Sequence, residues 1–157
     1  MSVRLNFYHA SPEAIKLMIG QENYLSGLTG ANEGLDKKLL ELVKIRVSQI
    51  NGCAYCLDMH TKDTRLLGET EQRLYTLSAW REAPFFTAQE QAALKWAEAL
   101  TQVATKEVSD ELFLEVKEYF SERQMVDLTL AINAINSWNR FVRGFGADVG
   151  SYQPAGA

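Results

Sequence analysis

The pair Asn51-Gly52 separates two stretches of helical periodicity and leaves almost no chain between them. Apolar residues recur at helical spacing from about Leu35 to Ile50, and a glycine that follows is the usual residue for a left-handed helix end. A second helix is predicted from Cys53 to Leu67. So short a connection favours an antiparallel helical hairpin, in which residues at similar distances from the turn reach similar heights.

The rest of the chain also has helical periodicity. Only three prolines occur, and there is no alternating apolar and polar run, internal repeat or composition break. Further helices are predicted from Pro12 to about Gly27, from Thr70 to Arg81, from Thr87 to Ala104, from Ser109 to about Phe120 and from Ser121 to about Arg143, with a linker from Gly30 to Gly34. The sequence thus predicts an all-α, single-domain bundle of about seven helices over residues 1–157, with a core from about 10 to 146 and a frayed tail over 150–157.

Composition limits the classes of partner. Hydrophobic residues make up 46% and charged residues 23% of the 157 residues, as in an average soluble globular protein. The formal charge is −4 without a Lys/Arg run, so no nucleic-acid partner is expected. No apolar run approaches the roughly 20 residues of a membrane span, and the N-terminus lacks the apolar region of a signal peptide. We therefore expect no membrane partner and a cytoplasmic location.

Two cysteines, Cys53 and Cys56, lie in the first turn of the second hairpin helix. A disulfide across so short a loop stabilises little, which favours a redox or metal-binding role. Free N–H groups and the helix dipole at that turn can stabilise a thiolate. His60 follows Cys56 by four residues and shares its face, while Glu41 lies at a similar height on the facing helix. These residues predict a relay from Glu41 through His60 to Cys56, with Cys53 beside it.

Other interpretations of the same residues stay open. Zinc needs four ligands, for which the chain offers Cys53, Cys56, His60 and His9 besides carboxylates, with no second CxxC and no HxxxH. The thiols could also be inert, and a lone glutamate such as Glu41 is more often solvated. We predict no metal and no cofactor, and we assign His9 no role.

Polar and aromatic residues outside the hairpin have structural interpretations. A polar stripe on the last long helix predicts pairing with its own neighbours, a subunit interface or a substrate channel; it consists of Asn133, Asn136 and Asn139. Four aromatic residues are interpreted as core or interface rather than as a ligand site: Trp80, Phe85, Phe86 and Trp138. Asp58 is expected at the surface, close enough to influence His60.

The stretch from Glu41 to His60 resembles the core motif of the alkylhydroperoxidase D-like branch of the carboxymuconolactone decarboxylase superfamily. That motif is a glutamate, eleven intervening residues, a CxxC pair and a histidine four residues after the second cysteine. The resemblance continues through Trp80-Arg-Glu-Ala-Pro-Phe-Phe-Thr, Val108-Ser-Asp-Glu and Ile135-Asn-Ser-Trp-Asn-Arg140, and it covers about Ala10 to Gly146.

This resemblance implies an all-helical fold, assembly into trimers or hexamers, and an antioxidant peroxidase that reduces alkyl hydroperoxides. It implies that Cys56 is the peroxidatic thiolate and that Cys53 donates a proton and then forms the disulfide. His60 and Glu41 would complete the proton relay, and the four-residue spacing of His60 from Cys56 independently favours Cys56 as nucleophile. The implied partners are a hydroperoxide and a dithiol reductant of the lipoyl or thioredoxin type.

Tyr55 departs from the pattern, because relatives closest to the best-studied peroxidases carry a histidine just before the second cysteine. A tyrosine can donate a hydrogen bond but is not a base near neutral pH. The decarboxylase branch lacks the CxxC pair, so its activity fits this chain poorly. Two alternatives to a peroxidase stay open: a dithiol–disulfide oxidoreductase acting on other disulfides, and a non-catalytic oligomeric module with a vestigial dithiol.

Overall fold

The computed structural model describes residues 3–28 and 34–155, and within these ranges it contains helices and no strand. The elements are α1 (Phe7–Ala10), α2 (Pro12–Leu28), α3 (Lys37–Asn51), α4 (Ala54–Leu66), α5 (Glu71–Thr76), a 3₁₀ helix (Leu77–Ala79), α6 (Ala88–Thr101), α7 (Asp110–Lys117) and α8 (Glu122–Phe145). The predicted all-α class is confirmed. Apart from Gly34, the predicted linker lies outside the described residues. None of the described helices is long and apolar enough to cross a membrane.

Most helix starts coincide with local capping signals. Thr87 and Ser121 form capping boxes with Glu90 and Gln124, so each box satisfies two backbone N–H groups that the helix leaves free. The short helix α1 has no counterpart among the predicted helices; Asn6 accepts a hydrogen bond from the backbone N–H of His9 and caps it.

Three predicted helix ends differ from the structure by three or more residues, among them that of α7, which ends at Lys117 rather than near Phe120. The segment that begins at Thr70 changes after Thr76 to a 3₁₀ helix, whose three-residue turn places Leu77 and Trp80 on one face. Both side chains are buried there, in an apolar cluster with α3 and α6. Helix α6 ends at Thr101 rather than Ala104, and Val103 beyond it is exposed, so no apolar contact holds a further turn.

Helix α3 lies at the centre of the fold and packs against α4, α6 and α8. Its side chains enter two apolar clusters: Val43 and Val47 pack in the larger one, and Leu42 and Ile45 in the smaller one. A helix that is apolar on several faces must be surrounded by other helices. The position of α3 therefore fixes where its one buried carboxylate, that of Glu41, can lie.

The end of the hairpin is joined to α8 by side-chain amides. Asn51 Nδ2 donates to Oδ1 of both Asn136 and Asn139, each at 2.9 Å. Asn139 in turn donates to Ser48 Oγ at 3.1 Å. Two members of the predicted polar stripe thus pair with their own neighbours, whereas Asn133 is exposed. The predicted trimer or hexamer and the domain boundaries stay predictions.

The segment after α8 lies against α4. The Tyr152 hydroxyl donates to Asp63 Oδ1 at 2.8 Å, and the Tyr152 carbonyl accepts from Lys62 Nζ at 2.9 Å. The sequence predicts that residues 150–157 are frayed. Residues 151–154 indeed form no helix, but these two hydrogen bonds hold the segment against α4 at Tyr152.

Gly52 provides a test of the hairpin turn. Its φ of +64° is unfavourable for other L-residues, and an added Cβ would lie 2.8 Å from Arg143 Nη1, which donates to the Gly52 carbonyl. We expect Gly52→Ala to lower the free energy of unfolding by about 1–2 kcal/mol in urea titrations. Gly20→Ala is the control, because Gly20 lies in α2 with open space around it, and this change should stabilise by about 0.5–1 kcal/mol. Effects of the same sign would contradict this account.

Candidate active site

The helical hairpin carries all four predicted site residues, and all four are buried. Glu41 belongs to α3, Cys53 is the N-cap residue of α4, and Cys56 and His60 lie in the first two turns of α4. The structure brings Glu41 and His60 into direct contact and joins the two cysteines in a disulfide. His60 and Cys56 line the same cavity.

The disulfide gives its two sulfur atoms different surroundings. Cys53 and Cys56 have Cα atoms 5.4 Å apart, within the usual range for a disulfide, so the helix start holds them at bonding distance. Cys56 lines the cavity, whereas Cys53 is not part of its wall. A molecule in the cavity therefore meets Cys56 rather than Cys53.

His60 is oriented by Glu41. Nδ1 of His60 lies 2.8 Å from Oε2 of Glu41, and since an ionised carboxylate only accepts hydrogen bonds, Nδ1 carries the proton. Nε2 is then the basic nitrogen of the neutral ring. Nε2 has no hydrogen-bond partner among the described residues. Every fully buried side-chain nitrogen or oxygen among those residues does have a partner, so Nε2 is not fully buried. Nε2 is therefore accessible and can exchange a proton with a group in the cavity.

Glu41 is ionised because its partners compensate for its burial. Burial by itself raises the pKa of this carboxyl, but the hydrogen bond from His60, the positive charge of that ring once it is protonated, and Lys44 lower the pKa to about 2. Lys44 Nζ lies 3.2 Å from Oε1 of Glu41 and 3.2 Å from Oε2 of Glu22. Burial acts to lower the pKa of Lys44, but the two carboxylates outweigh it and leave this pKa raised.

The structure adds residues that the sequence analysis missed. Lys44 stands three residues after Glu41, a spacing at which helix side chains pair, so a signal for it was present. Glu22 comes from α2, and its other oxygen accepts a hydrogen bond from Trp138 Nε1 at 3.2 Å. No local pattern predicts either contact of Glu22. Trp138, interpreted from sequence as a core or interface residue, is half-buried in the cavity wall.

The cavity has a volume of about 550 Å³, within the range of small-molecule sites. Its wall is built by α2, α3, α4 and α8, by residues 3–8 and by residues 146–152. Backbone N–H groups of Arg4 and Leu5 donate to the Phe145 carbonyl, which ties the N-terminal segment to the end of α8. Both chain ends thus cover the hairpin where Cys56 and His60 lie.

Three tyrosines line the cavity. Burial, and then the hydrogen bond to Asp63, raise the pKa of Tyr152 to about 12. Burial and the neighbouring Tyr55 raise the pKa of Tyr8. Tyr8 and Tyr152 therefore stay neutral near pH 7 and can donate hydrogen bonds. Tyr55, at which the sequence departs from the expected motif, is half-buried in the same wall.

The remaining candidates lie outside the relay. His9 is exposed in α1, and Asp58 pairs with Lys62 at 3.0 Å rather than with His60. Within residues 3–28 and 34–155, no group of three or more His, Cys, Asp or Glu side chains has the geometry to hold a metal ion.

Comparisons with known proteins give a consistent picture. The model of the carboxymuconolactone decarboxylase family matches residues 16–99, more than half of the chain. The chain is 49% identical over 140 residues to the uncharacterized protein YdfG of Bacillus subtilis (strain 168), covering 89% of this chain and 92% of that protein. It is 41% identical over 66 residues to the alkyl hydroperoxide reductase AhpD of Streptomyces coelicolor, covering 40% of this chain and 37% of AhpD.

A solved structure extends the similarity to the whole fold. It is that of a protein of unknown function from Agrobacterium tumefaciens, described as a candidate antioxidant defence protein AhpD. It superposes with a TM-score of 0.85 at 41% identity and covers 98% of this chain and 99% of its own. The chain belongs to the carboxymuconolactone decarboxylase family and, within that superfamily, to its alkylhydroperoxidase D-like branch.

Proposed function

We propose that the protein is a thiol-dependent peroxidase that reduces organic hydroperoxides through a Cys53–Cys56 dithiol–disulfide cycle. The observation that carries the proposal is the cavity: the redox sulfur of Cys56 lines it beside a histidine that an ionised glutamate orients. Similarity to AhpD proteins supports an antioxidant role.

The cycle begins with the reduced pair. His60 Nε2 takes the proton of the Cys56 thiol, and the first turn of α4 stabilises the thiolate that forms. This thiolate attacks the terminal oxygen of ROOH, so that an S–O bond forms and the O–O bond breaks. Cys53 gives its proton to the departing alkoxide, which leaves as ROH. The sulfur is oxidised to a sulfenic acid and the peroxide is reduced.

Disulfide formation completes the oxidative half of the cycle. The Cys53 thiolate attacks the Cys56 sulfenic sulfur, and the departing hydroxide takes the proton held on His60 to form water. The two thiols have then supplied two electrons and two protons for ROH and H₂O. An external dithiol returns both by exchange at Cys56, which lies in the cavity wall. A lipoyl-type dithiol, which is small enough to enter the cavity, suits this step better than a thioredoxin-type protein.

A dithiol–disulfide oxidoreductase is the second candidate, because the formed disulfide fits that role as well. Cys56 is only 2% exposed, however, and lies within a cavity that both chain ends cover. Its sulfur is therefore more accessible to a small molecule than to the surface of a folded protein. A reversible Cys53–Cys56 couple without peroxide consumption would favour this second candidate.

Substitution of each cysteine tests the assigned order. We expect Cys56→Ser to abolish consumption of cumene hydroperoxide in the presence of a dithiol, because the attacking sulfur is gone. Cys53→Ser, the matched control, should lose multiple turnover but still reduce close to one equivalent and leave a sulfenic acid on Cys56. Intact mass after trapping of the sulfenic acid measures this product. Wild-type turnover by Cys56→Ser, or reduction of one equivalent by Cys56→Ser with a sulfenic acid on Cys53, would refute the assignment.

Glu41 tests the relay. Glu41→Gln keeps the shape of the side chain but removes the charge that orients and stabilises protonated His60, so we expect kcat/KM for the hydroperoxide to fall about 100-fold. Glu69→Gln is the control, because Glu69 is an equally buried carboxylate that pairs with Arg73 outside the cavity. It should leave kcat/KM unchanged. If both substitutions affect kcat/KM alike, Glu41 has no specific role in the relay.

Acid titration tests the charge on Glu41. With its pKa lowered from 4.5 to about 2 in the folded protein, this carboxylate contributes stability that is present above pH 4.5 and lost as the pH falls toward 2. We expect unfolding measurements to show a loss of about 3 kcal/mol over that interval, at ~1.4 kcal/mol per pH unit, beyond the loss in Glu41→Gln. Parallel curves for the two proteins would show that Glu41 is not stabilised in this way.

A further inference from the structure

The cavity wall carries more negative than positive formal charge. Among the described residues, four carboxylates line it, those of Glu22, Glu41, Asp63 and Asp148, against the single ammonium group of Lys44. Each of the three inner carboxylates has a described partner. Glu22 contacts Trp138 and Lys44, and Glu41 contacts His60 and Lys44. Asp63 accepts a hydrogen bond from Tyr152. Asp148 is exposed and lies at the rim.

The one lysine in this wall is already paired. Lys44 Nζ lies 3.2 Å from each of two carboxylates, its side chain is 12% exposed, and its pKa is raised. A carboxylate on a ligand would have to displace Glu22 or Glu41 to reach it. Breaking a buried ion pair leaves an uncompensated charge, which is strongly unfavourable. Among the described residues of the wall, no other lysine or arginine is available.

The remaining wall suits hydrocarbon. Apolar and aromatic side chains contribute most of it: Val3, Leu5, Met59, Ile135, Trp138 and Val142. An alkyl or aryl group gains free energy on leaving water for such a surface, whereas an unpaired carboxylate loses its hydration there without compensation. Repulsion from the fixed carboxylates adds to this cost, because charges interact more strongly away from bulk water.

We propose that this cavity selects uncharged organic hydroperoxides with an alkyl or aryl group and rejects those that carry a carboxylate. The inference rests on the peroxidase function proposed above and specifies its substrate class. The neutral hydroperoxide brings no charge into a wall whose inner charged groups already have partners. Esters of hydroperoxy acids are accordingly substrates, and the free acids are poor ones.

Three probes that differ in one substituent test the proposal. They are cumene hydroperoxide, its para-carboxylate and the methyl ester of that carboxylate, assayed near pH 7 with the same dithiol. The ester is larger than the acid but uncharged, so it separates charge from size. We expect kcat/KM for the acid to be at least about tenfold below that for the ester, with the ester close to the parent compound. Equal values for acid and ester would overturn the proposal.

Charge reversal at the rim tests the cause. Asp148→Lys should raise kcat/KM for the acid relative to the ester at least threefold, because it places a cation beside the entering carboxylate. Glu82→Lys makes the same charge change at an exposed position outside the cavity wall and should leave the ratio at its wild-type value. A ratio that moves equally in both variants, or in neither, would rule out the cavity charges as the source of the preference.

Binding of the products separates this inference from the function on which it rests. The three corresponding alcohols can be titrated into the disulfide form of the protein by calorimetry. Weaker binding of the acid alcohol than of the ester alcohol supports the selectivity. If the protein binds them in this way but consumes no hydroperoxide, only the proposed peroxidase function fails. Equal binding of the acid and ester alcohols, together with equal turnover of their hydroperoxides, refutes the selectivity alone.

Discussion

The ion pairs of Glu41 are the interaction on which the site depends. A buried carboxylate is costly unless its oxygens are paired, and here one oxygen meets His60 of α4 while the other meets Lys44 of α3. Glu22 of α2 holds Lys44 from the opposite side. Three helices therefore have to lie in one register for all the charges to be compensated. A shift of one helical turn, about 5.4 Å, would leave at least one charge buried without a partner.

The start of α4 gives the two cysteines different roles. Cys53 stands at the N-cap in an extended conformation and Cys56 lies in the first turn, so the helix geometry itself brings the sulfurs together. The same geometry leaves only Cys56 in the cavity wall, one turn from His60. The order of attack proposed for this CxxC pair rests on this difference, which depends on how residues 3–8 and 146–152 close around the hairpin.

Local signals explain why much of this fold could be predicted. Gly52 ends α3 in a left-handed conformation, and Thr87 and Ser121 cap helices through contacts with residues three positions later. Each of these helix boundaries is therefore determined by residues within one helical turn. The contact of Lys44 with Glu22 spans 22 residues, that of Tyr152 with Asp63 spans 89, and that of Trp138 with Glu22 spans 116. Such contacts depend on tertiary packing, which a single sequence does not encode in any short pattern. The cavity was missed for this reason, although the four residues proposed for the relay were named from the sequence.

Charge also links the relay to the cavity. Carboxylates close to Cys56 oppose formation of a thiolate, so the site needs compensating positive charge when that thiol loses its proton. The charge of Lys44 compensates one of its two partner carboxylates, Glu22 and Glu41. In the proposed cycle the proton that moves to His60 compensates the other, and the dipole at the N-terminus of α4 adds to this effect. The thiolate then forms within a group of charges that the protein itself supplies. In the proposed cycle a neutral peroxide leaves this balance intact, and the charge that its cleavage creates is neutralised by protons already held on the hairpin.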